Sequence, residues 1–157
     1  MNERSARPGL MRRLLTGARE KEPDPSVWHP QGIPYPRLLE FNIRANGPGP
    51  RSGVYLLWHL GVRPRWLRAA GAIDLAAALT AASRESEVVA ADANGGVFVA
   101  WAYLPVASIP SAAGSLAAQL KPALQDFARA GEIAGAATDE VFPLPIGAGP
   151  GAPPAER

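Results

Sequence analysis

Two short segments, Val54–Leu60 and Val97–Leu104, constrain the fold most because they are apolar at almost every position. A strand that is apolar at both odd and even positions is typical of the interior of a sheet whose two faces are both covered. Their lengths suit strands better than helices. Two helices do not cover both faces fully, so a proline-rich arm or a second copy of the chain is expected to supply the rest.

The residues around these strands predict the remaining elements. Arg65–Ala70 alternates polar and apolar residues, which indicates a half-exposed hairpin partner. Asp74 is placed to cap an alanine-rich helix over Leu75–Ser83. Arg84–Gly96 reads as a loop, and Ser108 or Ser111 starts a last helix with Leu116 and Leu120 on one face. Pro122 ends that helix, and a further helical piece carries Leu124 and Phe127.

The predicted fold class is therefore α/β (α+β), with a small three-stranded mixed sheet and the order strand-strand-helix-strand-helix. Composition divides the chain into four segments: a basic amphipathic or disordered segment 1–25, a Pro/Gly-rich arm 26–52, an α/β domain 53–130 and an Ala/Gly/Pro-rich flexible tail 131–157. The arm has too many prolines for a helix or a central strand. We expect its aromatic residues Trp28, Tyr35 and Phe41 to hold it on the domain.

The first segment places Leu10, Met11, Leu14 and Leu15 on one face of a short helix, with Arg12 and Arg13 elsewhere on it. Leu10, Arg12, Arg13 and Leu14 are the candidate docking residues for a partner protein or an anionic surface. A frayed tail is the alternative, since a helix of this length is marginal in water.

The net charge of +2 conceals an uneven distribution of charge along the chain. Residues 1–71 carry 12 Lys and Arg against 5 Asp and Glu, whereas residues 72–157 carry 4 against 9. This asymmetry favours an acidic partner for the first half, although arginine usage could equally reflect a GC-rich genome. The absence of cysteine excludes disulfides, thiolate metal sites and cysteine nucleophiles. No apolar run reaches the roughly 20 residues of a membrane span, so we expect a cytoplasmic protein.

Four short matches, in the right order, resemble the GIY-YIG domain of excision-repair nuclease subunits and intron homing endonucleases. They lie between residues 53 and 126: Gly53-Val54-Tyr55 on the first strand, Trp66–Gly71 on its hairpin partner, Asp74-Leu75 at the first helix and Leu120–Gln125 at the end of the last helix. The resemblance implies the family's strand and helix order.

The resemblance also implies that most of the catalyst is missing. Family nucleases use two tyrosines, an arginine on the first helix and a glutamate that holds a divalent metal, all acting on a phosphate. Tyr55 is the one retained position. The second tyrosine corresponds to Trp66 or Arg68, the arginine to Ala78 and the glutamate to Ala113. We therefore expect no metal site and no cofactor.

Other catalytic patterns are weaker still. His29 and His59 have no carboxylate or second histidine at ligand spacing, and we expect His59 at the exposed end of a strand. The best remaining feature is a candidate binding surface made of Arg51, Arg63, Arg65, Arg68, Trp66 and Tyr55. Arginine forks match phosphate and carboxylate geometry, and aromatic rings stack on bases. In a regular hairpin, Trp66 and Arg68 would share one face, and Arg65, Leu67 and Ala69 the other.

The sequence thus favours a non-enzymatic binding or adaptor module whose partner is a protein or a nucleic acid. Two alternatives remain open. One is a metal-dependent endonuclease whose catalytic residues lie elsewhere in the chain. The other is a structural subunit that forms homo-oligomers.

Overall fold

The computed structural model describes residues 27–31, 34–124 and 131–150 of the chain. The candidate docking residues Leu10, Arg12, Arg13 and Leu14 lie outside the described residues. So does Phe127, while Leu124 lies in a turn rather than a helix.

Five strands form one sheet in the spatial order β1-β4-β2-β3-β5. They are β1 (Trp28–His29), β2 (Gly53–His59), β3 (Arg65–Ala72), β4 (Val97–Tyr103) and β5 (Glu132–Ile133). Every pairing is antiparallel. The predicted strands are all present, but the prediction of a three-stranded mixed sheet is wrong. The two edge strands are only two residues long, too short for a periodic pattern to reveal them.

The helices are α1 (Ile43–Asn46), α2 (Leu75–Ala82), α3 (Ser86–Ala93) and α4 (Ile109–Leu120). Asp74 caps α2 as predicted, because its carboxylate accepts a hydrogen bond of 3.0 Å from the Ala77 N–H. Helix α4 is also confirmed, and it ends at Lys121, which has a left-handed φ of 49° immediately before Pro122. Helix α3 replaces the loop predicted over 84–96, and Val88 is its one fully buried residue.

Helices cover both faces of the sheet, as the apolar strands require. We call the face under α2 and α3 the first face; its core includes Tyr55, Leu57, Leu79 and Val88. The second face lies under α4, and its core includes Leu56, Trp58, Ile109 and Leu116. Among the described residues, no helix has the length and apolarity to cross a membrane.

The arm and the described part of the tail belong to the same core. Trp28 is 2% exposed, Tyr35 lies edge-on to Trp58, and Phe41 stacks on Trp101, so the expectation that aromatic residues hold the arm is confirmed. In the tail, Phe142 packs edge-on against Trp28 with ring centroids 5.8 Å apart. The sheet therefore extends past both predicted boundaries of the 53–130 segment, through β1 on one side and β5 on the other.

Candidate functional site

Tyr55, Arg68, Glu85 and Glu132 form a polar cluster inside the first face, which we call the buried cluster. The Tyr55 hydroxyl donates a hydrogen bond of 2.6 Å to Glu132 Oε2. Arg68 Nη2 lies 3.0 Å from Glu85 Oε1, and Arg68 Nη1 lies 4.0 Å from Glu132 Oε1. Tyr55 is fully buried and Arg68 is 1% exposed. The cluster therefore joins β2, β3, β5 and the start of α3 through charged and hydroxyl groups shielded from solvent.

A β-bulge in β3 turns Arg68 into this position. Trp58 pairs with Trp66, but the preceding residue Leu57 pairs with Arg68, so Leu67 is an extra residue. The extra residue shifts the alternation of side chains along the strand. Arg68 consequently points to the first face with Leu67, while Trp66 packs on the second face with Ala69. The prediction that Trp66 and Arg68 share a face is wrong for this reason.

The three positions Tyr55, Ala78 and Ala113, which the resemblance assigns to the nuclease catalyst, are not all brought together. Tyr55 and Ala78 both lie in the core of the first face, whereas Ala113 lies in the core of the second face, across the sheet. Within the described ranges, no three His, Cys, Asp or Glu side chains form a group that could hold a metal ion.

The predicted binding surface is also divided. Arg51 precedes β2, whereas Arg65 pairs with His59 at the far end of that strand, a separation of about 20 Å along seven residues. The Arg51 guanidinium lies 3.6 Å above the Tyr103 ring and lines a groove of about 360 Å³ with Ser52 and Leu104. Tyr55 and Arg68 are buried, and Trp66 is half-buried. Three of the six residues are exposed: Arg63 and Arg65 near one end of β2, and Arg51 near the other.

Arg63, Arg65 and Lys121 form a surface that we call the basic tip. Arg63 and Arg65 lie at the β2–β3 turn, where Val62 is 95% exposed. We group Lys121 with them because it lies two residues before Ala123, where the segment after α4 runs along the start of β3. There the N–H groups of Ala123 and Leu124 donate to the carbonyl oxygens of Trp66 and Leu67 over 3.0 and 2.7 Å. Within the described chain, none of the three cations has a carboxylate at ion-pair distance.

Both histidines have pKa values below their ordinary range. Burial lowers the pKa of His59, and the charge of Arg65 lowers it further. Burial and the charge of Arg51 lower the pKa of His29 in the same way. His59 is 6% exposed, which corrects the expectation of an exposed strand end. The imidazole is enclosed where the chain turns back, and its Nδ1 accepts a hydrogen bond of 3.4 Å from the Gly61 N–H.

These shifts predict how stability depends on pH. The unfolded chain takes up protons near pH 6.5, whereas the folded chain resists protonation at that pH. The contribution of the two neutral histidines to the free energy of unfolding is therefore fully present above about pH 6.5, and it is lost as the pH falls below that value. We expect the free energy of unfolding to decrease from about pH 7 to about pH 5, and to decrease less in the His29→Asn/His59→Asn double variant.

Urea unfolding at several pH values measures this slope, and an equal slope in both proteins would contradict the assignment. Asparagine keeps an acceptor for the Gly61 N–H but does not titrate.

The carboxyl of Asp92 affects the free energy of unfolding at a lower pH than the histidines do. Burial raises the pKa of its carboxyl, but hydrogen bonds from Arg37 and from the Val97 N–H bring the pKa below 3.8. Its stabilising contribution is therefore lost only below about pH 4.

Sequence reasoning missed Glu85, Glu132 and Lys121. Glu85 lay in a segment predicted to be a loop, and Glu132 lay in the segment predicted to be a flexible tail. The one available signal was Tyr55 itself, because a tyrosine in a wholly apolar strand requires a buried partner for its hydroxyl. That requirement indicates a partner but does not identify it.

Comparison with known proteins gives no match to a family model, to a curated protein or to a solved structure.

Proposed function

We propose that this chain is a non-enzymatic binding module on a degenerate GIY-YIG-like domain. The order of the main elements supports the proposal. β2 carries Gly53-Val54-Tyr55 and lies between β3 and β4, and Asp74 begins α2. The Lys121-Pro122 pair follows directly after α4.

The observation that carries the non-enzymatic assignment is the buried cluster. In nucleases of the family that the sequence resembles, a hydroxyl, a cation and a metal-binding carboxylate all act on the same phosphate. Here the Tyr55 hydroxyl is buried and bonded to Glu132, and the Arg68 guanidinium faces Glu85 and Glu132. These groups contact one another inside the core. A phosphate cannot reach them in this conformation.

The ligand that best suits the exposed surface is a nucleic-acid backbone bound at the basic tip. The tip has three cations, two of them arginines whose planar forks fit phosphate oxygens. It projects from the end of the β2–β3 hairpin. Its contacts are with phosphates rather than with base edges, so we expect binding with little sequence preference.

The test is binding of labelled single- and double-stranded DNA and RNA across a range of salt concentrations. Three phosphate contacts predict a slope of log K against log salt of about −2 to −3. Arg63→Glu/Arg65→Glu should weaken binding at least roughly tenfold, because two attractions become repulsions. Arg44→Glu is the matched control: it is also an exposed arginine, but it lies on α1, away from the basic tip.

Each other outcome has a defined meaning. Equal binding by the double variant and the Arg44→Glu control would reject the basic tip. Cleavage that needs magnesium or manganese and is lost in Tyr55→Phe would favour the endonuclease alternative. A stable homo-oligomer with no nucleic-acid affinity at low salt would favour the structural-subunit alternative.

A further inference from the structure

A run of aromatic side chains on the second face is covered by the chain's own proline-rich segment. We call the run the aromatic surface; its rings are those of Trp28, Tyr35, Trp58, Trp66 and Phe98. Tyr35 and Trp66 both contact Trp58 edge-on, with ring centroids 5.3 and 5.5 Å away. We call residues 142–149, which lie across these rings, the strap. Phe142 contacts Trp28 at one end of the strap, and Gly149 contacts Trp66 at the other.

Two polar groups of the aromatic surface bind the strap through its backbone. The Trp28 indole Nε1–H donates a hydrogen bond of 2.7 Å to the Pro143 carbonyl oxygen. The Tyr35 hydroxyl donates one of 2.7 Å to the Ile146 carbonyl oxygen. These two carbonyls are three residues apart, which is one turn of a polyproline II helix, so such a helix presents both on the same side. The donors are spaced for an extended proline-rich chain.

The strap's prolines contribute more to the contact than its aliphatic side chains. Pro145 is buried, whereas Leu144 is 36% and Ile146 is 76% exposed. Pro143 and Pro145 fix their own φ angles and favour extended backbone at the residues before them. A segment that buries a proline and whose carbonyls accept hydrogen bonds from indole and phenol donors matches the recognition mode of proline-rich ligands.

The strap is attached through side-chain hydrogen bonds and ring contacts rather than through strand pairing. Besides the two bonds above, Gln119 donates to the Phe142 carbonyl oxygen over 3.0 Å, and the Phe142 N–H donates to Ser115 Oγ over 2.8 Å. Within the part of the chain that the structure describes, residues 141–150 make no backbone hydrogen bond to another strand. A second segment with the same chemistry could therefore take the place of the strap without breaking the sheet.

We propose that the aromatic surface is a binding site for an extended proline-rich segment of another protein, which the strap occupies in cis. The site lies on the second face and does not involve the basic tip, so the proposal goes beyond the proposed function. The strap acts as an intramolecular competitor. The apparent affinity for a partner is the intrinsic affinity multiplied by the fraction of chains in which the strap is open.

The probe is a labelled peptide with the strap's own sequence, EVFPLPIGAGP (residues 140–150), titrated into the full chain. The control peptide, EVFALAIGAGP, replaces Pro143 and Pro145 with alanine. Two full-length variants change how firmly the strap closes. Gly149→Ala places a Cβ 2.3 Å from Trp66 Cζ2, so the strap must move away from the ring. Gly147→Ala is the matched control, because Gly147 also has a positive φ but has nothing within 4 Å of the added Cβ.

We expect Gly149→Ala to bind the proline peptide with an apparent Kd at least roughly tenfold lower than Gly147→Ala, and to bind the control peptide much more weakly. Trp28→Phe in the Gly149→Ala background should weaken binding of the proline peptide roughly fivefold or more, because an aromatic ring remains but the indole N–H donor is gone. Equal binding of the two peptides, or no saturable binding to Gly149→Ala, would overturn the proposal. A dimer of Gly149→Ala that excludes the peptide would assign the surface to strap exchange between copies, and would overturn it as well.

A measurement on the wild-type chain covers the case in which Gly149→Ala does not fold. The labelled proline peptide should show a saturable rise in fluorescence anisotropy when it is titrated with the wild-type chain up to millimolar concentration, because it displaces the strap in a fraction of the chains. The control peptide should show no such rise. Equal titrations of the two peptides, or no saturable rise with the proline peptide, would overturn the proposal.

Discussion

Arg68→Met is expected to lower the free energy of unfolding by about 3–5 kcal/mol. The side chain of Arg68 is 1% exposed, and the carboxylates of Glu85 and Glu132 that it faces are 19% and 10% exposed. Methionine keeps most of the apolar volume but removes the guanidinium, so both carboxylates lose a neutralising charge in a poorly solvated site. Removing one member of such a group costs more than the group contributes as a whole, because a buried charge is left behind.

Urea unfolding of Arg68→Met beside Arg65→Met tests this expectation. Arg65 lies on the same strand but is exposed, so its replacement should change stability by no more than about 0.5 kcal/mol. Glu132→Gln supplies a second check. Glu132→Gln should lower the free energy of unfolding less in the Arg68→Met background than in the wild type. In that background the Glu132 charge has already lost the arginine that neutralises it. Similar stabilities for the two arginine variants would show that the buried cluster does not stabilise the fold.

Trp28→Ala is expected to destabilise the protein by about 3–5 kcal/mol, although Trp28 lies in a two-residue edge strand outside the predicted domain. Its ring is 2% exposed, contacts Phe142 edge-on and donates to the Pro143 carbonyl oxygen. Alanine removes the apolar contact and also leaves a cavity between the arm, the sheet and the strap.

Thermal or urea unfolding again provides the measurement, with Val27→Ala as the neighbouring control. Val27 is 38% exposed, so its truncation should cost about 0.5 kcal/mol or less. A loss below about 1 kcal/mol in Trp28→Ala would mean that the arm is an appendage and that the second face is stable without it.

The basic tip differs from the surface predicted at the outset for a physical reason. Sequence reasoning grouped Arg63, Arg65 and Arg68 because they are close in the chain, and assumed regular alternation along the strand. A single inserted residue, Leu67, reversed the direction of Arg68. Lys121 joined the remaining pair because the chain returns beside β3 after α4, more than 50 residues later.

The sequence by itself determined the elements whose signals are local. Uniform apolarity identified β2 and β4, and the Asp74 cap and the Pro122 stop delimited α2 and α4. Alternation located β3, but the prediction that this strand is half-exposed is wrong, because residues 67–72 are all buried. These signals are local because hydrophobic period, capping and proline geometry act within one or two turns of chain. The aromatic residues of the arm were also expected to be anchors, since large rings are rarely left exposed in such numbers.

Only the tertiary structure decided which distant groups meet. The hydrogen bond between Tyr55 and Glu132 spans 77 residues, and those from Trp28 and Tyr35 to the strap span 115 and 111. The short edge strands β1 and β5 exist because β4 and β3 offer them hydrogen-bonding edges, and their own two-residue sequences have no strand signal. Burial also decided which charged groups are accessible, because it placed Tyr55 and Arg68 in the core and left Arg63 and Arg65 exposed.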